Sequence, residues 1–255
     1  MQDNDKYEKT FTAPDANVLI VDDNELSLKT AETLFNFFQI SVKKTRSGHE
    51  AFDLVRNESF DIIFLDQMMP DIDGTETAAN IREWEKKFSN RKPLVIIALT
   101  AAAVYWEMFY SNGFDGCISK PLDTNTLAGI LTRWLPKEKI KPVQSLQFIK
   151  SDICADKDLR NELMKMFLED ECNTYDDIEN ALKSDDIKKA HRLSHSLKSS
   201  AGHLHLENLK QAAADAEKSL SAGKNQITER QLLVLKEELM SALKKLTEEL
   251  KTPER

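Results

Sequence analysis

F-D-I-I-F-L-D-Q-M-M-P-D-I-D-G, from Phe60 to Gly74, is the stretch on which the reading of the fold turns. An almost unbroken apolar run from Phe60 to Leu65 stops at Asp66, which reads as a strand buried on both faces with a carboxylate at its carboxyl end. Pro70 and Gly74 then turn the chain into a loop. In open α/β sheets the ligand chemistry lies at the carboxyl ends of the strands. Asp66 is therefore expected at the rim of a parallel sheet, held by a rigid strand.

Other strands point at the same rim. Val18 to Val21 (V-L-I-V) runs into Asp22, Asp23 and Asn24, and Asn24 can cap the helix that follows. Leu94 to Leu99 ends at the hydroxyl of Thr100, and the short apolar piece Cys117–Ile118 ends at Ser119-Lys120-Pro121. Three carboxylates at one edge repel one another and call for a cation. Oxygen-only ligands suit a hard divalent ion, Mg²⁺. Carboxylates, a metal, a hydroxyl and a lysine on one rim suit in-line phosphoryl transfer onto Asp66.

Outward from this core, strand and helix alternate five times. The helices are expected after Asn24, over Gly48–Arg56, Thr75–Phe88, Ala101–Ser111 and Thr124–Trp134, and a short strand over Ile40–Lys43. That is a five-stranded, doubly wound, flavodoxin-like α/β domain with helices on both faces. V-L-I-V-D-D-N, F-L-D-Q-M-M-P-D-I-D-G, A-L-T-A and S-K-P-L together resemble the receiver domain of two-component response regulators. The resemblance implies that Asp66 is the phosphoacceptor. It implies that Asp22, Asp23, Asp66 and the Met68 carbonyl surround Mg²⁺, with Asp22 acting through water, and that Thr100 and Lys120 contact the phosphoryl oxygens. One position departs: Cys117 stands where the family often has the aromatic that moves with Thr100, which puts that output switch in doubt.

The prolines and charges of Lys137–Pro142 read as a boundary, and no strand pattern is legible beyond it. Four amphipathic helices are expected over Asp158–Leu182, Asp185–His205, Leu206–Leu220 and Gln226–Leu250, an antiparallel four-helix bundle. The second of these holds four of the five histidines, His191, His195, His203 and His205. On a helical wheel His195 falls at the outer margin of a strip with His191, Lys198 and Gly202, where its imidazole can be exposed beside a low surface at Gly202. A-H-R-L-S-H-S-L-K-S-S-A-G resembles the core of histidine-containing phosphotransfer (HPt) domains, which are four-helix bundles. The resemblance implies that His195 is the phosphohistidine and Lys198 its charge partner. Ser199 and His205-Leu206 depart from the glycines and alanine common there.

The expected division is a flexible lead at 1–16, a receiver at 17–136, a linker at 137–145 and an HPt bundle at 146–252. Phe11-Thr12-Ala13-Pro14 resembles the join that precedes receivers in hybrid sensor kinases, so the chain is expected to be the tail of such a kinase. With 255 residues there is room for both domains, and a formal charge of -8 argues against nucleic acid as the main partner. No apolar run is long enough to span a bilayer and no signal peptide is legible. Cys117, Cys154 and Cys172 lack a C-x-x-C spacing, fit a reducing cytosol, and are expected to be buried and inert. No G-x-x-x-x-G-K or Gly-rich kinase lid is present, so ATP-dependent phosphorylation is not expected of this chain. The expected partners are a sensor histidine kinase or its phosphohistidine domain, and a downstream receiver. The rival readings are solvated loop charges, a degenerate receiver that binds protein without phosphotransfer, a plain helix-surface histidine at His195, zinc on the His191/His195 pair, which lacks H-E-x-x-H, and a metal-dependent phosphatase on the same rim, which lacks an obvious extra general base.

Overall fold

The computed structural model describes residues 6–87, 92–100, 110–150 and 157–251. The chain divides into two compact units, Met1–Ile153 and Cys154–Arg255.

The first unit holds a parallel sheet of β2 (Val18–Val21), β3 (Val42–Thr45), β4 (Ile62–Asp66), β5 (Val95–Thr100) and β6 (Gly116–Ser119), in the order β3-β2-β4-β5-β6. That order is the flavodoxin-like doubly wound one. β2 and β4 are buried throughout, which is why they read as continuous apolar runs rather than alternating ones. Leu19, Val21, Ile63, Leu65, Ile96 and Ala98 pack on one face against Ala51 and Val55 of α2 (Gly48–Asn57) and Ala78 and Ile81 of α3 (Gly74–Glu85). On the other face Phe64 meets Phe35 of α1 (Glu25–Phe37) edge-on at 5.2 Å. α4 spans Thr124–Trp134 and buries Leu127, Ala128 and Leu131. The expected edge strand lies two residues further along than Ile40–Lys43, and the helix expected over Ala101–Ser111 falls largely outside the described residues.

Two expectations are corrected at the ends of this unit. Residues 1–16 are not a flexible lead throughout, and 137–145 is not a free linker. Lys6–Thr12 is a strand, β1, paired antiparallel with β7, Lys141–Lys150. Phe11 is buried and stacks on Phe38 at 5.0 Å, Ala13 and Ala16 are buried, and the Ala13 N–H donates to Phe38 O. A short 3₁₀ turn at Lys137–Lys139 precedes β7, and Lys139 Nζ lies 2.7 Å from Asp61 Oδ2. The pairing joins segments about 130 residues apart, so neither segment's local pattern carried it.

The second unit is a helical bundle of α5 (Lys157–Asp170), α6 (Thr174–Lys183), α7 (Ile187–His203), α8 (Glu207–Ser219) and α9 (Glu229–Lys251). α7 packs on α6 and α8, and α9 packs on α8, α5 and α6. The long first helix expected over 158–182 is broken into α5 and α6. At the break Glu171 is buried, and its carboxylate accepts from Ser200 Oγ at 2.7 Å and Thr174 Oγ1 at 2.6 Å. A carboxylate turned inward to two hydroxyls reads as a surface charge in the sequence, which is why the break was not legible.

Candidate functional site

The sheet delivers Asp22, Asp66, Thr100 and Lys120 to one edge because each ends or follows a parallel strand. Asp66 is the last residue of β4 and pairs in register with Leu99, while Thr100 pairs with Ser119. The α1 cap continues the rim: Asn24 accepts from the Ser27 N–H at 2.9 Å, as its position predicts, and its own N–H donates to Asp22 Oδ1 at 3.0 Å. Gly74 is required by close approach. A Cβ there would stand 2.1 Å from the Asp66 carbonyl oxygen, and the Gly74 N–H donates to Gln67 O at 3.0 Å. Asp71, at φ 66, adopts the left-handed conformation in the same loop.

Oxygens of Asp22, Asp23 and Asp66 lie within 4.8 Å of one another. Asp22 and Asp66 are buried and Asp23 is half-buried. Lys120 Nζ lies 2.7 Å from Asp22 Oδ2 and 3.0 Å from Asp66 Oδ1, and its side chain is only 8% exposed. Burial by itself depresses an ammonium, but the Asp22 and Asp66 carboxylates outweigh it and push the Lys120 pKa above its ordinary 10.5. Oxygens on one Mg²⁺ sit about 2.1 Å from the ion and hence no more than about 4.2 Å apart. Three carboxylate oxygens within 4.8 Å of one another are close to that separation, so the donor set fits a hard divalent ion. Thr100 is buried at the rim, and its Oγ1 lies 3.5 Å from Gln67 Oε1. Met68 is half-buried in the loop beyond Asp66. Cys117 packs half-buried against the core, and burial raises its thiol pKa.

A second constellation lies on α7 and α8. His195 is 6% exposed, not the outward-facing residue expected from the wheel. The reason is Glu217 on α8, whose Oε1 lies 2.6 Å from His195 Nδ1 and draws the ring against the neighbouring helix. The other oxygen, Oε2, pairs with Lys198 Nζ. His195 Nε2 is buried and has no hydrogen-bond partner among the described residues. Burial works to raise the Glu217 pKa, but the His195 and Lys198 hydrogen bonds and charges hold it down at about 2. The pKa of His191, one turn before His195, is lowered chiefly by burial, with Glu217 opposing. His191 and His195 do not join a third ligand residue within metal-binding reach among the described residues, so zinc has no set to bind there. The low surface expected at Gly202 is also corrected. Gly202 is buried, and a Cβ there would touch the Lys210 stem at 3.8 Å.

Sequence reasoning missed Glu217. Its place depends on how two helices align across 22 residues, and a lone Glu in D-A-E-K carries no local sign of it. The expectation of uniformly buried cysteines also fails, since Cys172 is exposed. Cys154 lies outside the described residues.

The family model for the response regulator receiver domain matches residues 18–132, and that for the Hpt domain matches residues 162–252. The sensor histidine kinase GacS of Pseudomonas protegens is 33% identical over 129 residues, which cover 50% of this chain and 14% of that protein. The polar-differentiation response regulator DivK of Brucella ovis is 34% identical over 108 residues, covering 42% of this chain and 85% of that protein. The signal transduction histidine-protein kinase BarA of Shigella flexneri is 25% identical over 239 residues, covering 87% of this chain and 26% of that protein. The chain thus spans only a minor part of the kinases it matches.

Proposed function

This chain belongs to the response regulator receiver family and carries an Hpt domain behind the receiver, and from that premise we propose a phosphorelay through Asp66 and His195. The observation that carries the reading is the convergence of Asp22, Asp23 and Asp66 on one sheet edge with Lys120 against two of them. The donor is the phosphohistidine of a sensor kinase or of its phosphohistidine domain. An Asp66 carboxylate oxygen attacks phosphorus in line, the P–N bond breaks, and the donor imidazole leaves with the electron pair. Lys120, already 3.0 Å from Asp66 Oδ1, follows the charge onto the phosphoryl oxygens, and the Thr100 hydroxyl donates to another. Asp22 and Asp23, with Asp66 and the Met68 carbonyl, would hold Mg²⁺. When bound, the ion neutralises phosphoryl oxygens.

In the second step His195 Nε2 takes the phosphoryl group from an aspartyl phosphate, on this receiver or on another. The Nε2–P bond forms, the P–O bond breaks, and the carboxylate leaves. Nδ1 is engaged by Glu217 and Nε2 has no partner among the described residues, which supports Nε2 as the nucleophile. Lys198 stands beside the ring for the incoming charge. A downstream receiver is the final acceptor. The proposed setting is the cytoplasm. No described helix is long and apolar enough to cross a membrane.

The test follows label from acetyl phosphate with Mg²⁺ on the wild type, Asp66→Asn and His195→Gln. Base-labile label on Asp66 that passes to an acid-labile, base-stable form absent from His195→Gln supports the internal relay. Label that stays on Asp66 leaves a receiver whose Hpt domain serves other partners. Absence of label together with absence of Mg²⁺ binding overturns the relay and favours a protein-binding module.

A further inference from the structure

The root of the β1–β7 ribbon lies at the edge of the sheet opposite Asp66. Asn17 and Asp61 stand just ahead of β2 and β4 and bond to each other. The Asp61 N–H donates to Asn17 O at 2.8 Å, and the Asn17 N–H donates to Asp61 Oδ2 at 2.7 Å. Lys139 reaches the same Asp61 carboxylate, Lys141 pairs with Asp15, and Phe11 stacks on Phe38 at the end of α1. β4 is five residues long, so Asp66 stands about 13 Å from this root along the strand. From the root β7 runs outward for ten residues, about 30 Å, with Thr12 opposite Lys141 and Lys6 opposite Lys150. Among the described elements β1 and β7 pack chiefly on each other, so the ribbon stands off the helices that cover the sheet.

We propose that this ribbon is a clasp that sets the length of the tether between the receiver and the bundle, and so directs phosphotransfer between chains rather than within one. This rests on the relay reading of Asp66 and His195. With β7 paired, the only residues between its end at Lys150 and the start of α5 at Lys157 are 151–156, and seven Cα steps reach at most about 25 Å. With β7 unpaired the tether starts at Lys141, and sixteen steps reach about 55 Å. The clasp therefore takes ten residues out of the tether and starts what is left at the tip of an arm rooted on the edge away from Asp66. A tether too short to span two sites gives an effective concentration near zero, whereas one that matches the span gives about millimolar. The clasp can also open. A two-stranded ribbon is marginally stable by itself, and here only its root is fixed to the sheet and α1.

The experiment uses the full chain in three forms: the wild type, a chain carrying Glu8→Pro and Lys9→Pro, and a chain with ten Gly and Ser residues inserted after Lys150. Two adjacent prolines remove a ladder donor whichever of the two faces β7, and they leave Phe11 at the root untouched. The insertion keeps the ribbon and lengthens only the tether. Each chain is labelled with acetyl phosphate and Mg²⁺, and arrival of label at His195 is followed over a hundredfold range of chain concentration. Transfer within a chain is independent of concentration and transfer between chains is not. Wild-type transfer is expected to scale with concentration. The proline and insertion chains should each show a concentration-independent component at least about tenfold above the wild type. Hydrogen exchange should show slow amides in Lys6–Thr12 and Lys141–Lys150 of the wild type and fast ones in the proline chain. A wild type whose transfer is already independent of concentration, or whose ribbon amides are unprotected, overturns the proposal. So does a concentration-independent component that stays within twofold of the wild type in both altered chains. A mixture of labelled His195→Gln with Asp66→Asn chains reports the relay by itself. If no label crosses in that mixture, and none reaches His195 in any of the three chains, the relay reading beneath the proposal fails instead, so the two failures are distinguishable.

Discussion

Replacing Lys120 with Met should unbalance the receiver site in a way that Mg²⁺ repairs. The ammonium sits 2.7 Å from Asp22 and 3.0 Å from Asp66, and the three side chains are 8%, 1% and 2% exposed. At an effective dielectric of about 20, each contact corresponds to roughly 6 kcal/mol of Coulomb attraction before desolvation is charged against it. Removing one partner of a buried pair leaves an uncompensated charge and costs about 3–5 kcal/mol. Here a single substitution leaves two carboxylates facing each other, while Met keeps most of the stem's packing, so about 3 kcal/mol is expected in metal-free buffer at pH 7. For a unit of this size that lowers the melting temperature by roughly 6–12 °C. Trp84, Trp106 and Trp134 all lie in the first unit, so tryptophan emission during thermal unfolding reports that unit and not the bundle. With the proposed Mg²⁺ site, saturating Mg²⁺ should raise the melting temperature of Lys120→Met more than that of the wild type, since the ion would bind only the folded site and would supply the missing charge. The pH sign follows from the raised Lys120 pKa. Its stabilisation is fully present below 10.5 and is lost as the pH climbs through the higher folded-state value, so the wild type and the variant converge only in strong alkali. A Lys120→Met chain that melts within 1 °C of the wild type in a chelator would refute the view that this ammonium balances the rim.

Three other outcomes are expected. Gly74→Ala should cost about 2 kcal/mol or more in urea unfolding of the first unit, because its Cβ would meet the Asp66 carbonyl oxygen at 2.1 Å, and backbone cannot rotate away as a side chain can. Phe11→Ala should cost about 3 kcal/mol by the same measurement, since the ring is buried on Phe38; a loss under 0.5 kcal/mol would return the segment to the status of a free lead. The stability advantage of the wild type over Glu217→Gln should be full above pH 4.5 and disappear as the pH falls through about 2, the sign expected of a carboxyl whose folded-state pKa is depressed; guanidinium titrations of the bundle across that window check it.

The receiver site was legible almost whole because parallel strands buried on both faces write themselves as apolar runs, and the residue that ends a run is the residue at the rim. Asp22, Asp66, Thr100 and Lys120 could each be placed by where a run stops, and the structure brings Asp22, Asp66 and Lys120 within contact distance. The histidine site was legible by half. Helical periodicity placed His195 beside Lys198, but it erred on the ring's exposure, because a wheel shows which side a residue leaves from and not which neighbour draws it in.

By itself, then, the sequence determined what local repetition encodes: which segments are strands or helices, which residues end them, the alternation that makes a parallel sheet, and the two motifs on which the proposed phosphoryl chemistry rests. Tertiary structure alone decided the pairing of Lys6–Thr12 with Lys141–Lys150, the break at Glu171 and the place of Glu217. Each of these joins groups separated by 22 to about 140 residues. Such contacts are selected by the net free energy of packing and charge compensation in the finished fold, and no periodicity along the chain records them.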